Sequence, residues 1–242
     1  MIVKRKALLI GYDASDDHNA SKLNGVPIDL INYKSYLQSY KGGAWENNEI
    51  EMLLNPKYDE LINVILKIKL AQTDVVFCVF SGHGEFSEFD KCRRVQINKD
   101  KTILEKELWN IAPKQILILD SCSGISSNKK NISESSESFL GFMTTDSLKN
   151  LYRNRYESEC FLCEPQLLRF YAAIPGQYAN DTDYGGEYSK TLINVLEDSN
   201  NISIVDAHNK ARDVVITETN GKQTPDKNVP KIRKYLPGAI VL

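Results

Sequence analysis

Residues 74–84 read DVVFCVFSGHG and residues 114–124 read KQILILDSCSG. Each opens with a short apolar run, the pattern of a strand buried on both faces. Each then stops in small polar residues and glycine. The first ending holds a histidine between two glycines; the second holds a cysteine between two serines, with Asp120 just before them. Strands of this kind belong to parallel sheets, whose ligands and catalytic groups collect at the carboxyl ends. Both endings lie there, so these two stretches set the fold and place the site.

Outward from them, the period of the apolar residues predicts strands alternating with helices. Ala7–Gly11 is a first strand and Asp13–Asn24 a polar loop. Pro27–Tyr40 places Ile28, Ile31, Tyr33, Tyr36 and Leu37 on a helical face, with Pro27 suited to the first turn. A short strand is expected over 50–55 and a helix over 58–71. Residues 85–101 read as loop or a small hairpin, and 104–109 as helix. A strand over 169–174, helices over 189–198 and 203–218, and a last strand over 235–241 complete the pattern. The expected fold class is α/β, a three-layer α/β/α sandwich on a mostly parallel sheet of about six strands. Ser126–Glu164, rich in Ser, Asn, Lys and Glu, reads as a partly disordered insertion. One domain over 1–242 is expected, with a large-subunit-like segment over 1–125, a flexible linker over 126–166 and a small-subunit-like segment over 167–242.

Composition excludes several functions. The 242 residues are 42% apolar and 26% charged with a formal net charge of −2, which offers no basic face to nucleic acid and no charge signal for a membrane surface. No run approaches a membrane span, and MIVKRKALLIGYD lacks the features of a signal peptide. Five cysteines at irregular spacing argue against a disulfide framework and for a reducing cytoplasm.

A thiol peptidase needs a thiolate, a base and donors for the oxyanion. Cys122 is the candidate nucleophile and His83 the base, with the N–H groups of Gly84 and Cys122 as oxyanion donors. Cys78, inside its apolar run, reads as a small buried hydrophobe. His18 and His208 read as structural or solvated.

Taken in order, ALLIGYD, LNGVPIDL, SGHG, DSCSG, RFYAAIPGQYAND, YGGEYSKTL and HNKARDVV with the QTP of Gln223–Pro225 resemble the caspase-like peptidases. They look closer to the metacaspase and prokaryotic branch (peptidase family C14) than to animal caspases, whose motif is Q-A-C-[RQG]-G. The resemblance spans nearly the whole chain outside the insertion and implies a cysteine endopeptidase acting on proteins or peptides. Animal caspases carry glutamine where this chain has Asp120, and arginine where it has Leu23. The metacaspase resemblance implies a pocket lined by Asp29, Ser81 and Asp120, suited to arginine and then lysine.

Many metacaspases bind calcium through clustered aspartates. Here Asp90 and Asp100 stand apart, with Glu134 and Glu137 the remaining acids considered, so no calcium or other cofactor is expected. Cys160 and Cys163 have the spacing of half a zinc site but no second pair, and read as hydrophobic filling. Family members are often divided where the insertion falls, which makes Lys129, Lys130, Arg153 and Arg155 candidate self-cleavage positions. The insertion alternatively folds over the site or receives an activating ligand or partner protein. By resemblance, such a chain serves as a regulated bacterial effector in stress or anti-phage defence. The competing reading is an idle caspase-like scaffold or ligand-sensing module; a hydrolase of the same architecture with a non-peptide substrate is a third. Animal caspases pair through the last strand, here 235–241, whereas metacaspases tend to stay single, and a monomer is expected.

Overall fold

The computed structural model describes residues 3–121 and 146–242. Its central sheet is built from β1 (Arg5–Tyr12), β2 (Ile50–Leu54), β3 (Val75–Gly82), β7 (Lys114–Ser121), β8 (Gln166–Tyr171) and β12 (Asp226–Asn228). In space these six run in the order β12-β8-β7-β3-β1-β2. The first five pair in parallel and β12 closes one edge antiparallel to β8. The order turns back on itself beside β1: the chain runs outward to β2, then returns to β3 on the other side. Such a reversal opens a crevice at the carboxyl ends of β1 and β3.

The unbroken apolar runs are explained by cover on both faces. Ala7, Leu9, Phe77, Val79, Ile116 and Ile118 point to one core; Leu8, Ile10, Cys78, Phe80, Leu117 and Leu119 point to the other. Over the first face lie α1 (Gly25–Gln38), α3 (Asp146–Phe161), α4 (Glu187–Asp198) and α5 (Ile204–Glu218). The second face is covered by α2 (Tyr58–Leu70) and a small antiparallel sheet of β4 (Gly84–Ser87), β5 (Cys92–Asn98) and β6 (Lys101–Leu104). Two short pairs complete the fold, β9 (Asp181–Thr182) with β10 (Gly185–Gly186), and β11 (Ile202–Ser203) with β13 (Pro237–Ala239). Each fully buried aliphatic side chain in these layers contributes about 1.5–3 kcal/mol.

Three expectations are corrected. Residues 146–161, which fall in the stretch read as a flexible linker, form helix α3, because Tyr152, Tyr156 and Cys160 recur every four residues and pack onto the core. The chain over 235–241 does not extend the main sheet. Its residues Leu236, Ala239 and Ile240 are buried, Tyr36 donates to the Gly238 carbonyl at 2.8 Å, and the local strand pairs with β11 instead. The sheet's sixth strand is β12, whose Asp-Lys-Asn sequence carries no apolar signal. Finally, 104–109 is a single 3-10 turn, Glu105–Leu108, rather than an α-helix.

At the amino ends of β1 and β2, buried charge is paired. Arg5 donates to the carbonyls of Gly43 (2.9 Å) and Ala44 (3.3 Å), pairs with Glu49 (3.4 Å) and lies over the Trp45 ring. Arg153 of α3 grips Glu49 through two contacts of 2.6 and 2.8 Å and Glu157 at 3.0 Å. His208 of α5 is buried between Phe170 and Tyr188 and shares a 2.7 Å hydrogen bond with the Tyr188 hydroxyl. Cys160 and Cys163 sit in the core, the latter donating to the carbonyls of Glu159 and Tyr235. Among the described residues no helix is long and apolar enough to cross a membrane.

Candidate active site

The parallel register of β3 and β7 aligns the two endings read from the sequence. Ser81 pairs with Asp120, and Gly82 with Ser121. The next residue along each strand is His83 in one case and Cys122 in the other. Cys122 lies outside the described residues, as do Lys129 and Lys130. Gly84 lies directly against Ser121: a β-carbon at 84 would come within 2.8 Å of the Ser121 hydroxyl.

His83 is held from three sides. Its Nε2 donates to the Ser21 carbonyl at 2.7 Å, its own carbonyl accepts from the Gln96 N–H at 3.0 Å, and its ring meets Tyr12 edge-on at 6.0 Å. A carbonyl only accepts, so Nε2 carries a hydrogen, and in the neutral tautomer that has it the lone pair lies on Nδ1. That is the tautomer a base needs when Nδ1 faces the proton to be removed.

Beside these endings is a small recess lined by Leu23, Val26, Asp29, Asp120, Asp181 and Gly186, with Ser81 and Ser121 at its wall. Asp29 comes from α1, accepting from the Ser81 hydroxyl at 2.7 Å and the Gly186 N–H at 2.9 Å. Asp120 is the penultimate residue of β7 and accepts from the Ser189 N–H at 3.0 Å. Asp181, in β9, accepts from the Gly25 N–H at 3.1 Å at the start of α1. Asp29, Ser81 and Asp120 are thus brought together in one recess, and Asp181, which the sequence reading did not single out, joins them. Its loop, 175–186, has no periodic signal. The two glycines of YGGEY make room for the acids, since a β-carbon at Gly185 or Gly186 would lie 2.5 Å from Asp29 Oδ1 or Asp120 Oδ2.

The electrostatics follow from that crowding. Burial, then the neighbouring Asp120, holds the Asp29 carboxyl well above the usual carboxylate range. Burial pushes Asp120 up to about 6, with the charge of Glu187 adding to it. Asp181 is likewise pushed up to about 6 by burial and by Asp120. No lysine or arginine lines the recess among the described residues. Donors from the backbone soften the cost without supplying a counter-charge.

The four described cysteines, Cys78, Cys92, Cys160 and Cys163, are all buried and free. Burial raises each thiol, Cys78 to about 12, which removes them as nucleophiles at neutral pH. Arg153 and Arg155 both lie on α3, Arg153 paired with Glu49 and Glu157 and Arg155 with Glu159 at 3.1 Å.

The layered sheet agrees with comparisons to known proteins. The family model for the caspase domain matches residues 4–237, so the chain belongs to the caspase-domain family of cysteine peptidases. Among solved structures it is similar to caspase-1 from Spodoptera frugiperda, with a TM-score of 0.63 and 13% identity over 99% of this chain and 89% of that one. At that identity the likeness speaks for the fold alone. No curated protein matches the chain.

Proposed function

We propose that the chain is a cysteine endopeptidase in which His83 and Cys122 form the catalytic pair and the acidic recess selects arginine, then lysine, before the cut bond. The observation that carries this reading is the convergence of three carboxylates, with no cation among the described residues, beside the paired residues Gly82 and Ser121 that immediately precede His83 and Cys122. In a partly dry recess, a pair of carboxylates favours a cation by several kcal/mol over a neutral group before desolvation is subtracted.

In this mechanism His83 Nδ1 takes the Cys122 thiol proton and the sulfur attacks the peptide carbonyl. The N–H groups of Gly84 and Cys122 meet the developing oxyanion. The imidazolium returns its proton to the leaving amine, and water then hydrolyses the thioester with His83 as base. The Ser21 carbonyl stabilises the charged ring and fixes its orientation. No cofactor enters these steps. Self-cleavage is assigned to Lys129 and Lys130, because Arg153 and Arg155 are helical and ion-paired, while peptidases read extended chain. The wider role, a regulated effector of bacterial stress or anti-phage responses, rests on the family resemblance.

The test is a set of fluorogenic peptides ending in Arg, Lys or Asp, assayed with the parent and with Cys122→Ala. Arg is expected to be cut fastest and Lys second, with all cleavage lost in the variant. Preference for Asp, or cleavage by the variant, would overturn the reading.

A further inference from the structure

Asp29, Asp120 and Asp181 reach one recess from α1, β7 and β9. The charges around them do not balance. Glu187 on α4 acts on Asp120, and Asp183 acts on Asp181 from the same loop. Lys190 on α4 is taken by Glu187 at 3.1 Å, and Lys22 of the loop before α1 acts on Asp13. Ser121 on the recess wall is only 2% exposed, and its buried hydroxyl has no hydrogen-bond partner among the described residues. A buried polar group left unpaired in this way is costly unless a ligand completes it.

Like carboxylates in so small a space cannot all ionise while it is empty. We propose that the empty recess holds shared protons, and that a guanidinium or ammonium group entering it expels at least one to solvent, with Asp181 among the groups that release it. This rests on the cationic-pocket reading above and adds what that reading lacks: occupancy of the site becomes a function of pH. Protons and the basic side chain compete for the same oxygens. The raised carboxyls of Asp120 and Asp181, each near 6, put that competition within the physiological span. For each proton expelled, affinity falls tenfold per pH unit once the recess is protonated.

The experiment is calorimetric titration of the full chain with agmatine, a guanidinium compound without a carboxylate, at pH 5, 6 and 7. Each pH is run in two buffers of different ionisation enthalpy. The parent is expected to release about one proton per agmatine and to lose about tenfold or more in affinity between pH 7 and 5. Asp181→Asn keeps an amide oxygen for the Gly25 N–H, and is expected to bind while releasing fewer protons over a flatter pH profile. Thermal melting checks that the variant is folded. Binding with equal heats in both buffers and no pH dependence would overturn the proton coupling alone. An unchanged proton count in the variant would overturn the role given to Asp181. Failure of agmatine to bind at any pH would overturn the cationic pocket itself.

Discussion

The two ends of the central sheet treat buried charge in opposite ways. At the amino ends, Arg5, Glu49, Arg153 and Glu157 neutralise one another, and Arg5 also satisfies two carbonyls. Burial alone would push the Glu49 carboxyl up, yet the Arg153 hydrogen bond, with the charges of Arg5 and Arg153, pulls it below the usual range. At the carboxyl ends, three carboxylates meet with backbone and hydroxyl donors but, among the described residues, no cation, and all three are pushed up. The paired end stabilises the fold. The unpaired end costs stability, and the proposed basic side chain of a substrate would supply the missing charge.

The contrast is broken most severely by neutralising the recess. Asp120→Asn retains an oxygen for the Ser189 N–H and is expected to cut kcat/KM on an Arg peptide at least about 100-fold. Its melting temperature should be no lower than the parent's, since a strained charge is removed. Parent-like kcat/KM would show that Asp120 does not read the substrate. The paired end should respond in reverse. Glu49→Ala leaves Arg5 and Arg153 short of an acceptor, and urea unfolding is expected to show a loss of about 2–3 kcal/mol. The kcat/KM of its folded fraction should stay within about twofold of the parent; a catalytic collapse with intact stability would reverse the assignment of the two ends.

The third effect concerns pH. Burial, then the charges of Lys227 and Arg212, lowers His208 to about 3. A folded pKa below the unfolded value means stabilisation that is complete above about 6.5 and lost as pH falls towards 3. The recess acids have raised folded values, so their contribution runs the other way and grows on acidification below about 6. His208→Gln should therefore hold its stability better than the parent between pH 6.5 and 4.5, by up to about 1.4 kcal/mol per pH unit. Parallel urea-unfolding profiles for the two proteins would exclude His208 as the source.

What the sequence disclosed follows from where its physical signals are strong. β3 and β7 are double-sided apolar runs with abrupt ends, so their burial and adjacency were legible. Asp29 and Asp120 were found because family motifs frame them. Asp181 sits in a polar loop, where its meaning depends on α1 starting 3.1 Å away, a contact across 156 positions that no local window contains. The Ser21 carbonyl is a backbone atom and leaves no trace in residue type. Helix α3 was hidden by its Lys, Arg and Glu content, though its stripe of Tyr152, Tyr156 and Cys160 was present to be counted. β12 owes its existence to an edge made available by β8 rather than to its own side chains.

The pairing of β7 with β8 has a further consequence. Six backbone positions, Lys114 to Leu119 against Gln166 to Tyr171, are laced together across the insertion point, and Tyr36 from before the insertion ties down Gly238 from after it. A scissile event anywhere between residues 121 and 146 would double the number of polypeptides without dividing the particle. Sizing under native conditions would register nothing, while a denaturing gel would show two bands.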